Sequence, residues 1–487
     1  MRTWPLSLAV IVCGAVVMIF ELVGSRVLGP YVGTSLFVWT SLIGVILGSL
    51  SLGYYLGGIV ADKKPTVTAL SGIIFLSAVF ILITVAIKSI FLIFLQTAIS
   101  DIRVSSVIAS LILFSPASIL LGMVSPYAAK LALQTLDTSG STVGNLYALS
   151  TAGSIAGTFL SGFYLIPRFG TNKLLIVISI ALLLTSWLLS FWHKRVLKVI
   201  FLCIALSSFI IADGLDAIMR SRGLIDTDTA YNRIQIYDGI DEESREPIRT
   251  LSVGNERNSA MFLRKDDLVY EYTKYYHLAS QLYPGFKKTL MLGGAGYSYP
   301  KDFLLKYPDA TMDVVEIDPG VTALAKIYFR LSEDPRLTII HADAREFLNT
   351  TRKTYDVIFG DAFTSHYSLP YQLTTREAVQ REYDILNPNG VIILNIISSF
   401  EGERGLFLRA EHATYADIFP RVYLFPVQNK ENGNEVQNII LVACKTKCEH
   451  PYMERYLAEA WKKEIQKDVP ILTDDFAPVD FYINKLF

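Results

Sequence analysis

At 487 residues the chain exceeds one ordinary domain, and a composition that is 52% hydrophobic and 18% charged is skewed toward lipid. Residues 1–213 hold 12 basic and 5 acidic side chains, near +7, so the remaining 274 residues sit near −8 to give the net −1. The acidic second part argues against nucleic acid, whose binders present a basic face, and four cysteines are too few for a disulfide scaffold.

Apolar stretches long enough to span a bilayer, about twenty residues each, fall near 6–28, 36–60, 67–92, 103–127, 142–166, 172–192 and 197–213. No small-residue cleavage site closes the first, so it reads as a membrane helix rather than a signal peptide. Residues 1–213 are therefore expected to form an all-α transmembrane bundle of about seven spans in a multi-pass cell-membrane protein, with the lipid bilayer as a partner. The stretch 67–127 leaves its internal division open, so six to eight spans are allowed for. Gly44, Gly48, Gly53 and Gly57 in the second span, and Gly144, Ala148, Ala152, Ala156, Gly153 and Gly157 in the fifth, are spaced for close helix packing. "LSLGYYLGGIVADKK" and "FLSGFYLIPRFGTNK" end these spans alike, which suggests a weak 3+3 repeat. The positive-inside rule puts Met1 and Arg2 in the cytoplasm, and seven spans would then leave the soluble part outside. A supply of substrate from the cytoplasm asks for the opposite, and the expectation is a cytoplasmic soluble part.

After Asp213 the pattern becomes that of a soluble α/β protein. "YNRIQIYDG", "IRTLSVGN" and "SAMFLRKDD" alternate apolar and polar residues and predict antiparallel strands over 225–265. A Tyr-rich helix is expected over 268–283, completing a small β-domain at 214–283. Strands near 289–292, 312–316, 337–340, 355–360 and 390–396 alternate with helices, predicting a doubly wound, Rossmann-like α/β domain over 284–487.

Within that domain "LMLGGAGYS" ends the first strand on Gly293, Gly294 and Gly296, where a nucleotide must approach the backbone closely. Glu316, 23 positions after Gly293, ends the second strand where a carboxylate accepts ribose hydroxyls. Asp343 follows the third strand, where an acid bonds an adenine amino group, and Asp361 follows the fourth. Each acid also suits a helix N-cap. No G-K-[ST] and no basic residue accompany the glycines, so a nucleoside without phosphates, such as a sulfonium adenosine, fits better than a dinucleotide. Tyr297, Tyr299 and Phe363 offer aromatic faces to a cationic sulfur or simply pack the sheet edge. Cys444, Cys448 and His450 form C-x3-C-x-H without a second half-site, so no metal is expected.

With "TAYNRIQI", "LMLGGAGYS", "VVEIDPGV", "DPRLTIIHADAREF", "YDVIFGDAF" and "LTDDFAPVDFY" in this order, residues 225–487 resemble the spermidine synthase (polyamine aminopropyltransferase) family, in its membrane-fused branch. The resemblance implies aminopropyl transfer from decarboxylated S-adenosylmethionine to an amine such as putrescine, with nothing permanently bound, and leaves room for a homodimer. It implies that Asn232, Glu316, Asp343 and Ala344 hold the nucleoside with the three glycines. Asp361 would accept the amine's proton, and Tyr272 and Thr364 would line the amine site. The family's "GGGDGG" is "GGAGYS" here, its second "DxxDP" acid falls near Thr364, and its "YHE" is not kept. Glu271, Asp474 or Asp475 could restore the missing negative charge. The loss of those acids leaves two rivals: a methyltransferase using intact S-adenosylmethionine, and a transporter or sensor that binds the nucleoside without turnover.

Overall fold

The computed structural model describes residues 4–99, 101–133, 139–221, 223–254, 256–362, 369–446 and 458–486. The chain divides into two compact units, Met1–Arg233 and Ile234–Phe487.

The first unit is helical: α1 Trp4–Val32, α2 Leu36–Lys63, α3 Val67–Ala98, α4 Ile102–Leu113, α5 Ser115–Ala132, α6 Ser139–Leu160, α7 Ile166–Leu189 and α8 Arg195–Ser221, followed by strand β1, Ile225–Asp228. Among the described residues five helical runs are long and apolar enough to cross a membrane, or six if the pair α4–α5, bent by 55°, is one broken span. The bend falls at Phe114, just before Pro116, which cannot donate a backbone N–H. Thr84 Oγ1 donates to the Leu113 carbonyl at 2.7 Å on that bend. The run Ser139–Leu189 counts 51 residues, about 76 Å of helix at 1.5 Å per residue, more than twice the roughly 30 Å hydrocarbon core. Gly170, with φ 69° and ψ 170°, breaks it into two segments. Residues 67–127 hold α3, α4 and most of α5.

Glycine contacts fix how these helices pair. A Cβ on Gly153 or Gly157 would strike the α1 backbone at Ile11 or Ala15, and one on Gly53 or Gly57 would strike α5 at Ile119 or Met123. Likewise Gly14 abuts Ser150, and Gly122 abuts Leu50. The two sets correspond residue by residue. Positions 11, 14 and 15 map to 119, 122 and 123 (a displacement of 108), while 50, 53 and 57 map to 150, 153 and 157 (a displacement of 100). In both sets the paired helices run parallel, whereas α3 meets α7 head to tail, Ser71 near the start of one against Ser186 near the end of the other. The helices α1–α3 and α4–α7 thus form two like halves of opposite direction. The register differs from the one that the span endings suggest: Gly53 corresponds to Gly153, not Gly162, because the glycines that touch a neighbour's backbone set it.

The second unit opens with an antiparallel meander of β2 (Arg233–Ile240), β3 (Pro247–Val253) and β4 (Glu256–Phe262), Ile234 opposite Val253 and Ile248 opposite Phe262. The Tyr-rich segment is not one helix. It forms α9 (Glu271–Lys274), a 3₁₀ turn (Tyr275–Leu278) and α10 (Ala279–Leu282). Tyr272, Tyr276 and Tyr299 pack edge to face in this region, with centroids 6.1 and 4.9 Å apart, so ring packing competes with the regular ladder. Then follow β5 (Lys288–Leu292), α11 (Ser298–Lys306), β6 (Thr311–Val315), α12 (Pro319–Tyr328), β7 (Leu337–Ile340), α13 (Ala344–Thr350), β8 (Tyr355–Gly360), α14 (Arg376–Ile385), β9 (Leu386–Ser398), α15 (Leu406–Ile418), β10 (Arg421–Pro426) and β11 (Gln437–Cys444). The seven-stranded sheet runs β10-β11-β9-β8-β5-β6-β7; β5 to β9 are parallel, and β10 and β11 are antiparallel additions. Leu290, Leu292, Ile358, Ile392 and Leu394 on its inner strands are fully buried, as near-continuous apolar runs require between helical layers. Strand order reverses between β5 and β8, the place where such sheets open a ligand crevice at their carboxyl ends.

The glycine contacts predict matched effects. Leucine at Gly53 or at its equivalent Gly153 should overpack the bundle by about 1–3 kcal/mol and lower the melting temperature of the detergent-solubilised chain similarly. Leucine at Gly44 or Gly144, which face open space, should leave it unchanged. Unequal losses at 53 and 153 would contradict the equivalence.

Candidate active site

Aligned strand tips bring the candidate residues to one edge of the sheet. Leu292 lies beside Val315 on one side and Gly360 on the other, and Val315 lies beside Ile340. The chain therefore leaves β5, β6, β7 and β8 at nearly one level, into the glycine loop, Glu316, the 341–343 turn and Asp361. Gly293 has φ 95°, and a Cβ there would sit 2.9 Å from the Asp361 carbonyl oxygen. Ala295 (φ 43°) and Tyr297 (φ 54°) also lie in the left-handed region, a costly backbone that persists only where its surroundings hold it. Gly294 and Gly296 are closed in by the Tyr297 ring and by Ser259 with Phe329.

Glu316 does the holding. Its Oε2 accepts from the N–H of Gly294 (2.9 Å) and Ala295 (3.1 Å), and Oε1 accepts from Asp318 N–H (2.9 Å). The carboxylate braces the loop and keeps free lone-pair capacity for a hydroxyl ligand. Asp343 caps α13, its Oδ1 accepting from Arg345 N (2.8 Å) and Glu346 N (3.1 Å), with Ala344 as the first helical residue. The capping role foreseen for this acid is thus present, and Oδ2 takes no part in it.

Asp361 faces a niche of about 10 Å³ lined in part by Tyr270, Tyr272, Thr273, Gly294, Ala295 and Tyr299, room for one water-sized group. Tyr272 Oη donates to Oδ2 at 3.3 Å, while Oδ1 has no hydrogen-bond partner. Burial pushes the Asp361 carboxyl up to about 7, against the opposing pull of Tyr276, Tyr272 and Asn395. Asn395, fully buried on β9, accepts from Asn438 through Oδ1 at 3.0 Å and leaves its Nδ2 without a partner. Asn395 and Tyr276 were missed by sequence reasoning. The signal for Asn395 was its place as a lone polar residue within "VIILNII", since buried polar groups need partners.

Other candidates are placed elsewhere or otherwise engaged. Arg345 holds Asp474 in a two-pronged ion pair (3.0 and 2.7 Å), and Thr375 Oγ1 donates to it at 2.7 Å. Burial raises the Asp474 carboxyl, but these partners outweigh it and keep it below the usual range. Asp475 is exposed on the following turn, neither acid lines the Asp361 niche, and Glu271 pairs with Lys274. The Tyr297 hydroxyl is spent on Thr322 (2.7 Å), and Tyr299 packs edge to face against Tyr276 and Phe359; the packing role foreseen for both rings is what the structure shows. Asn232 belongs to the first unit, its N–H donating to Thr229 Oγ1 (2.9 Å) in the turn before β2. Thr364, Phe363, Cys448 and His450 lie outside the described residues. Cys444 is disulfide-bonded, and among the described residues no group of three or more His, Cys, Asp or Glu is set to hold a metal.

A carboxyl raised by burial makes the folded state bind more protons than the unfolded one. Its contribution is fully present below the unfolded value near 3.9 and is lost as pH rises through 7. Asp361→Asn should therefore melt at a higher temperature than wild type at pH 8, by on the order of 1–4 kcal/mol of stability, with the gap closing by pH 4. A gap independent of pH would mean that Asp361 ionises as an ordinary carboxylate.

Comparison with known proteins bears on the same stretch. Residues 271–450 match the spermine/spermidine synthase domain. A polyamine aminopropyltransferase of Vibrio vulnificus is 32% identical over 156 residues, 31% of this chain and 50% of that protein, so the chain spans about half of that relative. A polyamine aminopropyltransferase of Streptococcus pneumoniae is 29% identical over 210 residues, 42% of this chain and 70% of that protein. Among solved structures, a probable spermidine synthase from Corynebacterium glutamicum is similar over 45% of this chain and 80% of that one, at 22% identity and TM-score 0.40. The stretch from the glycine loop to β11 lies within the part of the chain that is similar to the spermine/spermidine synthase domain.

Proposed function

We propose that the second unit transfers the aminopropyl group of decarboxylated S-adenosylmethionine to a small amine such as putrescine. The observation that carries this reading is Asp361: a buried carboxyl raised to about 7, beside a water-sized niche, at the strand tip next to the glycine loop. An alkylamine, like lysine with its value near 10.4, is protonated at neutral pH. Asp361 orients the ammonium and accepts one proton, which frees the nitrogen lone pair. The amine then attacks the aminopropyl carbon bonded to sulfur; the new C–N bond forms as the C–S bond breaks, and the electron pair leaves on sulfur as a neutral thioether. Tyr272, which already bonds Asp361, lines the amine side, and Glu316, Asp343 and the 293–296 loop hold the nucleoside. This division of labour expects Tyr272 rather than Asp474 or Asp475 to contact the amine, since Arg345 neutralises Asp474.

We further place the first unit in the membrane and the catalytic unit on the cytoplasmic side. In the packed bundle Lys63, Lys64, Lys130, Lys194, Arg195 and Lys198 mark one end, and Arg26, Lys88, Arg103, Arg168, Lys173 and Arg220 the other. Six against six gives the positive-inside rule nothing to choose with, and the cytoplasmic origin of sulfonium nucleosides and polyamines decides. The disulfide-bonded Cys444, uncommon in a reducing cytosol, pulls the other way. A cysteine replacing Asn432 should stay unlabelled by a membrane-impermeant thiol reagent in intact cells; strong labelling would put the domain outside.

A paired experiment tests the chemistry. Asp361→Asn should lose turnover by about 10²- to 10⁴-fold with nucleoside binding nearly intact. Glu316→Ala should weaken nucleoside binding by about ten- to a hundredfold. Purified chain, both sulfonium nucleosides and a panel of amines, with mass spectrometry of the products, reads the outcome. A methylated amine from intact S-adenosylmethionine, or binding without any product, would overturn the assignment.

A further inference from the structure

Where the bundle gives way to β1, the first unit holds a polar cleft of about 160 Å³. It lies between the first turns of α7 around Gly170, the end of α8 and residues 226–233. Arg168, Lys173, Arg220 and Arg233 line it, against two acids, Asp226 and Asp228. Lys88 of α3, itself buried, faces Arg233, Asp228 and Asp226 from behind. Among the described side chains five cations thus meet two acids, and the acids are already engaged. Asp226 takes Arg233 in two hydrogen bonds of 2.7 and 2.5 Å, and Asp228 Oδ2 accepts from Thr171 N–H at 2.8 Å. Positive charge gathered beside an apolar bundle repels itself unless an anion joins it.

Two further observations point to such an anion. Thr171, only 6% exposed, lines the cleft with its Oγ1 unpaired. A buried hydroxyl without a partner is costly and is normally satisfied by a ligand or water. Arg168 is exposed and turned along Tyr164, its guanidinium 4.2 Å over the ring and 2.7 Å from the hydroxyl. With Phe163 (81% exposed) and Phe169 (37%) beside it, this is the mix of aromatic and basic side chains found where a span meets headgroups. Asp228 Oδ1, also unpaired, turns one negative atom toward the same region, so the net excess of cations, rather than their isolation, makes the site.

We propose that this cleft binds the phosphate of an anionic phospholipid headgroup, with Arg168 and Arg220 as its outer grips and Thr171 as the inner hydroxyl donor. A phosphodiester presents acceptors to both arginines and to Thr171 at once, while its acyl chains lie along the apolar face of α6 and α8. The proposal rests on the membrane-spanning reading of the bundle.

The test uses the full chain, first in lipid nanodiscs and then in detergent for native mass spectrometry. Phosphatidylglycerol, phosphatidylcholine of the same acyl chains and inorganic phosphate are compared. We expect phosphatidylglycerol to be retained preferentially. Arg168→Gln with Arg220→Gln should weaken that retention about thirtyfold, at about 1 kcal/mol for each charge, and Arg168→Lys with Arg220→Lys should restore most of it. Lys130→Gln, at the other end of the bundle, should change nothing. Equal retention of phosphatidylcholine, or no loss in the double glutamine variant, would overturn the site. Binding of inorganic phosphate as tight as that of the lipid would make it a small-anion site instead. Failure to enter nanodiscs of any composition would overturn the membrane reading itself.

Discussion

The carboxylate of Glu316 accepts three backbone N–H groups, two from the glycine loop and one from Asp318 at the head of α12. It thereby ties the end of β5 to the end of β6 and holds a loop in which three successive odd-numbered residues, 293, 295 and 297, have positive φ. The other site features follow from that loop. Gly293 can lie against the Asp361 carbonyl only in this conformation, and Tyr297 seals the loop from beneath through Thr322. A single acid thus serves both as structural brace and as candidate ligand group. Its removal is expected to loosen the loop as well as to cost one acceptor.

Asp361 works under the opposite condition. Glu316 is satisfied three times over, whereas Asp361 is buried with one oxygen unpartnered and the other held by a long bond from Tyr272. Desolvation without compensation raises a carboxyl, and here it brings the group close to the pH at which a base both holds and releases protons usefully. Tyr276, Tyr299 and Phe359 pack ring against ring close by, and the pull of Tyr276, Tyr272 and Asn395 does not offset the burial. Two acids on the strand tips that flank β5 are thereby made different by what their surroundings donate.

Much of this was legible in the sequence because parallel strands announce themselves as short apolar runs, and the chemistry sits where those runs end. Gly293, Glu316 and Asp361 each follow such a run directly, and Asp343 follows one after two residues. The Tyr-rich segment was less legible, since helical periodicity does not reveal that Tyr272 and Tyr276 are held by ring packing. Asp474 looked available because sequence separation hides Arg345, 129 positions away. Asn395 escaped notice because an apolar run was read for its burial rather than for the one residue in it that could not be buried unpaired. The repeat in the helical unit was visible, but the glycines that set its register could be told from the others only by what they touch.

On the proposed membrane placement, that repeat has a consequence for how such a chain would enter a bilayer. By sequence the first half carries Arg2 ahead of α1 and Lys63 and Lys64 after α2 toward one end, and Arg26 and Lys88 toward the other, three charges against two. A three-helix segment with a margin of one charge gives the insertion machinery little electrical instruction about which end to retain. Its partner half, running the opposite way, packs against it through the same glycine-to-backbone contacts. Orientation is then a property of the joined pair rather than of either half. A segment indifferent to its own direction is the kind of unit from which an inverted duplicate can arise without redesign of a single contact.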